Sequence, residues 1–177
     1  MRFTIDEAAR TTGGSFSIDP VNDQTEITSL TWDSRNVEPG ALYVALPGER
    51  VDGHAFAAAS VAAGAVCVLA QHALDQASAD EIAAAGAAVI QVPDTQAAVT
   101  ALARAWRDRL KGRVIGITGS TGKTTTKNLV RDVLAAAGSV CATKGNQNNE
   151  LGVPNTVLAA QADTRNVIVE MGMRGLH

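Results

Sequence analysis

Short apolar runs alternate with amphipathic stretches along the whole chain. Continuous apolar runs that end at glycine, proline or polar residues are typical of buried strands. They predict strands at 27–32, 42–46, 65–70, 89–92, 114–118, 139–142 and 166–170. Helical spacing predicts helices at 4–12, 56–64, 77–85, 96–110, 123–137 and 153–161. Strands that alternate with helices favour an α/β fold with a mostly parallel sheet.

Capping and turn residues indicate where these elements begin and end. Thr4 is followed by Glu7 at the spacing of a capping box, which marks a helix N-terminus. Pro93-Asp94-Thr95 separates a strand from a long helix and is the best candidate for a domain boundary. We therefore expect one domain at 1–94 and the start of a second at 95–177. The second sheet is short for a nucleotide-binding domain, so we expect the chain to be a truncated piece of a longer protein.

Composition narrows the class of protein. Hydrophobic residues make up 46% of the chain and aromatic residues only 3%, so alanine, valine and leucine must supply the core packing. The net charge of −3, without basic blocks, argues against a nucleic acid as main partner. Cys67 and Cys141 lie in apolar runs and are expected to be buried thiols. Because the chain lacks a signal peptide and a run of roughly 20 apolar residues, we expect a cytoplasmic protein.

The most informative stretch is 114–126, VIGITGSTGKTTT. A predicted strand runs into a glycine turn, and Gly122-Lys123-Thr124 then opens a predicted helix. Glycine lets backbone N–H groups point at an anion, and a helix N-terminus adds partial positive charge. Lys123 is therefore expected to meet the β- and γ-phosphates of a nucleotide, and Thr124 to bind Mg²⁺. The general P-loop pattern requires a glycine where Ile117 stands, so the strict pattern fails.

Two polar stretches follow strands of the same predicted sheet. Glu170 ends the last strand, and ligands of open α/β sheets lie beyond the carboxyl ends of strands. Glu170 is therefore expected to face the glycine turn and to hold Mg²⁺ opposite Thr124. The loop 143–152, TKGNQNNELG, follows another strand, and its asparagine side chains are expected to line the same cleft. A purely structural asparagine-rich turn is the alternative for this loop.

The N-terminal half has two comparable loops. Residues 33–40, DSRNVEPG, and 48–54, GERVDGH, each follow a predicted strand and carry charged residues beside glycine. Loops on a rigid sheet are where ligands are usually held. A solvated surface with an incidental ion pair is the alternative for both loops.

Taken together, these stretches resemble the Mur ligases of peptidoglycan synthesis. The resemblance rests on TGSTGKTTT, TKGNQNNELGVPNT and IVEMGMRG, and on the N-terminal stretch TWDSRNVEPGALYVALPGERVDGHAF. It implies a small UDP-sugar-binding α/β domain followed by the first part of a P-loop ATPase domain. GNQNNELGVP and EMGMRG are most similar to the branch that adds D-Ala-D-Ala to UDP-N-acetylmuramoyl-tripeptide through an acyl phosphate. A glycine loop without the standard P-loop spacing is itself typical of this family.

The resemblance also implies roles for individual residues, with ATP and Mg²⁺ as cofactors and a monomeric protein. Binding of the ATP phosphates is implied for Gly119, Ser120, Thr121, Gly122, Lys123, Thr124 and Thr125, and Mg²⁺ ligation for Thr124 and Glu170. Substrate binding is implied for Ser34, Arg35, Glu49, Arg50, Asn146, Asn148 and Asn149, and a direct part in catalysis for Lys123 and Asn146. The family's further domains are missing from the chain, so we expect it to bind its ligands without catalysing the reaction alone.

Several alternatives remain at this point. Another Mur-type ligase that adds a single amino acid fits the same motifs. A folylpolyglutamate synthetase-like protein is disfavoured because it is not expected to carry the N-terminal loops. A non-catalytic UDP-sugar or nucleotide-binding module is the alternative from another class. A simple P-loop phosphate hydrolase leaves the N-terminal domain unexplained, and an ordinary strand–turn–helix leaves the run of threonines after Lys123 unexplained.

Overall fold

The computed structural model describes residues 1–48, 51–145 and 147–172. The chain forms two compact units, Met1–Leu102 and Ala103–His177, and each is described by itself. The predicted domain boundary at residue 94 stays a prediction. Within the described residues, no helix has the length and apolar character that crossing a membrane requires.

The first unit is a five-stranded sheet with helices and a small two-stranded sheet. Its strands are β1 Phe3–Thr4, β2 Ser15–Ile18, β3 Glu26–Ile27, β4 Ser29–Thr31, β5 Ala41–Val44, β6 Ala65–Ala70 and β7 Ala88–Gln91. Its helices are α1 Ile5–Thr12, a 3₁₀ turn Gly53–Phe56, α2 Ala57–Ala62, α3 Gln76–Ala84 and the start of α4 Thr95–Arg109. The main sheet has the order β2-β7-β6-β5-β4, and all of its pairs are parallel except β2 with β7. Strands β1 and β3 form the separate antiparallel pair.

Small apolar side chains build the core of this unit, as the composition predicts. All four residues of β5 are buried, and the core cluster is dominated by alanine and valine. Tyr43 is the bulkiest fully buried side chain, and its hydroxyl group donates to the carbonyl oxygen of Gly53 at 2.9 Å. Cys67 is fully buried, and burial raises the pKa of its thiol to about 12. Tyr43 therefore fixes the 3₁₀ turn to the sheet from within the core.

The structure differs from the predicted elements at the edges of this unit. The predicted strand 27–32 is divided at Thr28 into β3 and β4, because Thr28 N–H bonds to the carbonyl of Gly40 while the two halves pair with different strands. Strand β2 was missing from the prediction, since it is an antiparallel edge strand with alternating exposure and two serines. The predicted helix 56–64 instead begins as the 3₁₀ turn, in which the Asp52 side chain accepts the N–H of His54.

The second unit is a three-stranded parallel sheet with helices. It contains β8 Arg113–Ile117, α5 Lys123–Ala135, β9 Val140–Ala142, α6 Gly152–Ala159 and β10 Asn166–Glu170, after the end of α4. The strand order is β8-β10-β9, so the last strand is central, and all five of its residues are buried. Trp106 of α4 donates its indole N–H to the carbonyl of Ala160 at 2.9 Å. These strands confirm the α/β class with mostly parallel sheets.

Parallel strands bring three connections to one edge of this sheet. Glu170 pairs with Ile117 in the register of β10 and β8, and Ile168 pairs with Ala142 of β9. The carboxyl ends of the three strands therefore lie side by side. The glycine turn 118–122 and the asparagine loop after β9 both leave from this edge, which is where ligands of parallel sheets bind.

Candidate functional site

Helix α5 begins without the side-chain cap that α1, α3 and α4 have. Thr4 caps α1, Asp75 caps α3, and the Asp94 carboxylate accepts the first N–H groups of α4. The N-cap of α5 is Gly122, which has a φ of 75° and no side chain to accept a hydrogen bond. The first N–H groups of a helix have no acceptor within the helix and carry partial positive charge. The α5 N-terminus is thus left ready for an anionic ligand.

Lys123 lies across the glycine turn that precedes α5. Its ammonium group donates to the carbonyl oxygen of Gly119 at 2.7 Å and lies 3.5 Å from that of Ser120. Thr121 and Thr125, which the sequence also places in the phosphate site, are exposed on either side of it. The structure therefore brings the seven predicted phosphate-binding residues together in one turn and the first turn of one helix.

Glu170 is the centre of the polar cluster at this edge of the sheet. The residue is 1% exposed. Its carboxylate accepts hydrogen bonds from the hydroxyl of Thr124 at 3.1 Å and from the side-chain amide of Asn148 at 3.0 Å. The ammonium group of Lys127 lies 3.5 Å from its other oxygen. The backbone N–H of Glu170 donates to the hydroxyl of Thr143 at 2.9 Å, which fixes the strand end. Each oxygen of this buried carboxylate therefore has a donor.

These partners keep Glu170 ionised despite burial. Burial alone raises the pKa of the Glu170 carboxyl group. Hydrogen bonds from Asn148 and Thr124 and the charge of Lys127 outweigh burial and hold the pKa below its ordinary value. The site therefore presents a carboxylate, rather than a carboxylic acid, beside the Thr124 hydroxyl at neutral pH.

The pair of Thr124 and Glu170 fits a magnesium ion. Mg²⁺ takes oxygen ligands at about 2.1 Å in an octahedron, so adjacent ligand oxygens are about 3 Å apart. The Thr124 hydroxyl oxygen lies 3.1 Å from each carboxylate oxygen of Glu170. The oxygen atoms of the two side chains are thus already separated by the distance between adjacent Mg²⁺ ligands. Both side chains offer the hard oxygen donors that Mg²⁺ prefers.

Two residues of this cluster were missing from the sequence prediction. Lys127 is 3% exposed, and its ammonium group also donates to the carbonyl of Gly145 at 2.9 Å. Its position three residues after Thr124 places both on one helix face, and this spacing was the available signal. Thr143 directly follows β9, but nothing in the sequence marks its hydroxyl as the acceptor for the Glu170 backbone.

The asparagine loop divides its predicted residues between two tasks. Asn148 donates to Glu170 through its side chain and accepts the N–H of Gly172 through its carbonyl at 2.8 Å. The side-chain oxygen of Asn149 accepts the N–H of Gly152 at 2.8 Å, so Asn149 caps the start of α6, and its predicted part in substrate binding stays a prediction. Asn146 lies outside the described residues. One of the three asparagines thus directly contacts the carboxylate cluster in the part of the loop that the structure describes.

The first unit contains a pocket of about 820 Å³ between the loops that follow β4 and β5. Ser34 and Arg35, both predicted as substrate-binding residues, line it. The other lining residues are Trp32, Asp33, Tyr43, Leu46, Pro47, Gly48, Val51, Gly53 and Phe56. Glu49 and Arg50, also predicted here, lie outside the described residues. The described lining of the pocket combines aromatic and aliphatic walls with the guanidinium group of Arg35 and the carboxylate of Asp33.

Arg35 is held beside this pocket by Asp33. The guanidinium Nε and Nη2 each donate to one carboxylate oxygen of Asp33 at 2.8 Å, which is a bidentate pair. The hydrogen bonds from Arg35 lower the pKa of Asp33 to about 2. The Arg35 side chain is 86% exposed, so the pair orients the guanidinium without burying it. This geometry leaves the guanidinium edge that faces away from Asp33 open to a ligand.

Asp52, His54 and His72 form a hydrogen-bonded cluster at the start of the 3₁₀ turn. The His54 ring accepts the backbone N–H of Gln71 at its Nε2 (2.9 Å), so its Nδ1 carries the proton and donates to Asp52 at 2.6 Å. His72 stacks on His54 with ring centroids 3.6 Å apart and reaches the second Asp52 oxygen at 2.9 Å. The three side chains are close enough to hold a metal. However, both ring nitrogens of His54 are already used, so the cluster is a hydrogen-bonded anchor.

Two models of one protein family match this chain. The catalytic-domain model of the Mur ligase family matches residues 26–107, and the Mur ligase middle-domain model matches residues 117–177. The first match contains the pocket formed by the loops after β4 and β5. The second contains the glycine turn, α5 and Glu170.

Individual relatives agree with the family models. The UDP-N-acetylmuramoyl-tripeptide–D-alanyl-D-alanine ligase of Synechocystis sp. is 39% identical over 161 residues, which cover 90% of this chain and 34% of that protein. MurF from Acinetobacter baumannii superimposes with a TM-score of 0.83 at 33% identity, over 98% of this chain and 36% of that one. The MurF ligase of Thermotoga maritima in complex with ADP gives a TM-score of 0.68 at 30% identity, over 82% of this chain and 32% of that one. The chain thus spans about a third of the length of the relatives it matches.

Proposed function

Since this chain belongs to the Mur ligase family, we propose that it carries the UDP-sugar-binding and phosphate-binding parts of an ATP-dependent ligase. The proposed reaction joins D-Ala-D-Ala to UDP-N-acetylmuramoyl-tripeptide during peptidoglycan precursor synthesis, in line with the name of the Synechocystis relative. The observation that carries the proposal is the buried, ionised Glu170 held beside Thr124 at an uncapped helix N-terminus. We assign the reaction to the cytoplasm because it consumes ATP.

The proposed reaction has two steps. The terminal carboxylate of the tripeptide attacks the γ-phosphorus of ATP, which forms an acyl phosphate and releases ADP. The amine of D-Ala-D-Ala then attacks the acyl carbon, and the tetrahedral intermediate loses inorganic phosphate and a proton to give the amide. Both steps require positioning of the reactants and neutralisation of phosphate charge more than an acid–base pair.

Residues of the second unit supply this positioning and charge. The β- and γ-phosphates bind to the backbone N–H groups at the start of α5 and to the ammonium group of Lys123. Lys123 gives up its hydrogen bond to the carbonyl of Gly119 when it binds the phosphates. Thr124 and Glu170 hold Mg²⁺, which when bound neutralises charge on the phosphate oxygens. Asn148 keeps the Glu170 carboxylate aimed at Thr124. The catalytic part predicted for Asn146 stays a prediction from the sequence.

The pocket of the first unit is proposed to bind the UDP part of the substrate. The uracil ring packs against the apolar wall that includes Trp32 and Phe56. The diphosphate meets the hydroxyl of Ser34 and the open edge of the Arg35 guanidinium, which Asp33 orients. Glu49 and Arg50 stay predicted contributors to this pocket.

The experiment that tests this function is calorimetric titration of the protein with UDP-N-acetylmuramoyl-tripeptide, in the presence and absence of Mg·ATP, with UDP-N-acetylglucosamine as control. We expect saturable binding of the muramoyl-tripeptide and separate binding of Mg·ATP. Ser34→Ala and Arg35→Ala should weaken the first and leave the second unchanged, while Lys123→Ala should do the reverse. Failure to bind Mg·ATP, or failure to bind the muramoyl-tripeptide, would refute the proposal.

The competing functions give different results in the same system. A ligase that adds a single amino acid would, in an assay of the whole protein, release phosphate with a diamino acid and not with D-Ala-D-Ala. A non-catalytic UDP-sugar or nucleotide-binding module would bind the muramoyl-tripeptide with an affinity that ATP does not change. The cluster around Glu170 favours the ligase over the module, because a UDP-sugar pocket alone has no use for a buried carboxylate at a phosphate-binding turn.

A further inference from the structure

Lys127 is a buried cation that the reaction described above does not use. Its side chain is 3% exposed, and its partners are the carbonyl of Gly145 at 2.9 Å and the carboxylate of Glu170 at 3.5 Å. Glu170 is equally buried, with a side chain that is 2% exposed. A buried charge is costly without an opposite charge nearby. Each of these two groups therefore offsets the cost of burying the charge of the other.

The pairing of Lys127 with Glu170 determines the net charge of the proposed metal site. The carboxylate in contact with Thr124 carries one negative charge, and Lys127 balances it. Lys123 adds a second positive charge at the same helix N-terminus, where the helix itself contributes partial positive charge. A bare divalent cation would therefore enter a site with a net positive charge. A polyphosphate removes that barrier because it brings several negative charges with it.

We propose that Lys127 makes metal binding at Thr124 and Glu170 depend on nucleotide: it neutralises Glu170 in the free protein, so that Mg²⁺ enters only together with a polyphosphate. The inference rests on the proposed function, since it takes this pair as the metal site. Lys127 does not touch the phosphates in this scheme. Its role is to prevent occupation of the site by a free divalent ion, which would hold the carboxylate and the threonine hydroxyl before ATP arrives.

A purely structural role for Lys127 makes a different prediction. The bond to Gly145 connects α5 to the loop after β9, so removal of the lysine would destabilise the fold in either case. If that bond were the whole function, the loss of stability would not respond to metal. If Lys127 also neutralises Glu170, its removal leaves an uncompensated buried carboxylate beside a hydroxyl, which is a binding site for a divalent cation.

The test is thermal unfolding of this chain without nucleotide, with and without Mg²⁺, together with titration of Mn²⁺ followed by electron paramagnetic resonance. The wild-type protein should show no metal-dependent shift of the unfolding temperature and no Mn²⁺ binding. Lys127→Met, which keeps the length of the side chain and removes the charge, should unfold at lower temperature and regain stability when Mg²⁺ is added. It should also bind Mn²⁺ in the absence of nucleotide, at concentrations at which the wild type binds none.

Matched variants separate this effect from a general change of charge. Arg131→Met removes a charge from the next turn of α5, where the guanidinium contacts Asp132 and Asn128 instead of Glu170, and should behave as wild type. Lys127→Met combined with Glu170→Gln should lose the metal response. If Mg²⁺ also raised the unfolding temperature of this double variant, the proposal would be overturned.

A second measurement keeps the test decisive where Lys127→Met does not fold. Wild-type protein and Lys127→Arg, which retains the charge, should bind Mn²⁺ with ATP and not without it. Binding of Mn²⁺ to the wild type in the absence of nucleotide would overturn the inference. Failure of the wild type to bind ATP under any condition would instead refute the proposed function, so the two failures are distinguishable.

Discussion

Thr124 and Glu170 are 46 positions apart in the sequence, and the Thr124 hydroxyl oxygen lies 3.1 Å from both carboxylate oxygens of Glu170. The parallel pairing of β8 and β10 produces this contact, because it sets the end of one strand beside the end of the other. The glycine turn after β8 then brings the first turn of α5 over Glu170. The site therefore forms from the topology and from hydrogen bonds within the protein before any ligand binds.

The first prediction concerns the charge of Glu170. Glu170→Gln retains the shape of the side chain, and its amide oxygen still accepts hydrogen bonds from Thr124 and Lys127. We expect this variant to lose the strengthening of ATP binding by Mg²⁺, which in the wild type should be about tenfold or more, because a neutral amide is a poor Mg²⁺ ligand. Calorimetric titration with ATP, with and without Mg²⁺, measures this difference.

Asp132→Asn is the matched control for this change. It removes one negative charge from the same helix, at a residue whose carboxylate pairs with Arg131 on the exposed face. The Mg²⁺ dependence of this control should equal that of the wild type. An undiminished Mg²⁺ effect in Glu170→Gln would exclude Glu170 as a metal ligand.

A second prediction distinguishes two neighbouring asparagines. Asn148 donates to the Glu170 carboxylate, so Asn148→Asp would place two carboxylates in contact and lower the free energy of unfolding by about 3 kcal/mol at neutral pH. Asn149 accepts an N–H of α6, so Asn149→Asp should be neutral or slightly stabilising at this helix N-terminus. Chemical denaturation of both variants measures the difference.

The pH dependence of Asn148→Asp provides an internal check. Repulsion between the two carboxylates raises their pKa in the folded state above the value in the unfolded chain. The penalty is therefore present at neutral pH and disappears as the pH falls through the raised folded-state pKa. A penalty of equal size at pH 5 and pH 7 would mean that lost packing, and not charge, is its cause.

The sequence pattern was sufficient to predict most of the fold and the position of Glu170 opposite Thr124, whereas the roles of both residues in ligand binding stay predictions. Apolar runs predicted most strands of both sheets, and β5, β6, β7 and β10 are mostly buried as expected, since both faces of a parallel strand are covered. Strands β8 and β9 are only partly buried, so the expectation of buried strands is wrong for these two. The resemblance to Mur ligases is confirmed by the family models. The strand–turn–helix pattern likewise predicted that Thr124 lies in the first turn of the helix after the glycine turn. Strands β1 and β2 were missed because edge strands with polar residues have no such pattern.

The rest of the site depends on partners that are distant in the chain. In the sequence, Lys127 resembles any other polar residue of an amphipathic helix. Its contacts with Glu170 and Gly145 are evident only in the structure. His54 is buried because Gln71 and Asp52 use both ring nitrogens, and neither partner is marked by the sequence. Local periodicity thus identifies elements and turn chemistry, whereas the pairing of buried polar groups requires the tertiary structure.

A third prediction follows from the hydrogen bonds of the His72 ring. The carbonyl of Ala73 and the carboxylate of Asp52 both accept hydrogen bonds from this ring and raise the pKa of His72. A raised folded-state pKa contributes stability that is complete below the unfolded-state pKa of about 6.5 and is lost as the pH rises through the folded-state value. Because His72 is half exposed, we expect less than about 1 kcal/mol from it.

His72→Gln isolates this contribution. Stabilities of wild type and variant should differ more at pH 6 than at pH 8, as measured by urea unfolding. The carboxylates with lowered pKa values, Asp33, Asp52 and Asp75, lose their contribution only in acid, so they do not change between these two pH values. A difference that grows from pH 6 to pH 8 would contradict the assignment of the charged form.

The last prediction separates backbone strain from ligand binding at the glycine turn. Gly122 and Gly13 have φ values of 75° and 66°, and a Cβ atom added at either position would meet no atom within 4 Å. Alanine at either position should therefore cost about 1 kcal/mol of stability through backbone strain alone. Only Gly122→Ala should also weaken ATP binding, since relaxation of the strained turn would move the first N–H groups of α5. Denaturation and ATP titration of both variants measure these two effects. Equal ATP affinities of the two variants would mean that the turn tolerates the added side chain and that Gly122 serves folding rather than phosphate binding.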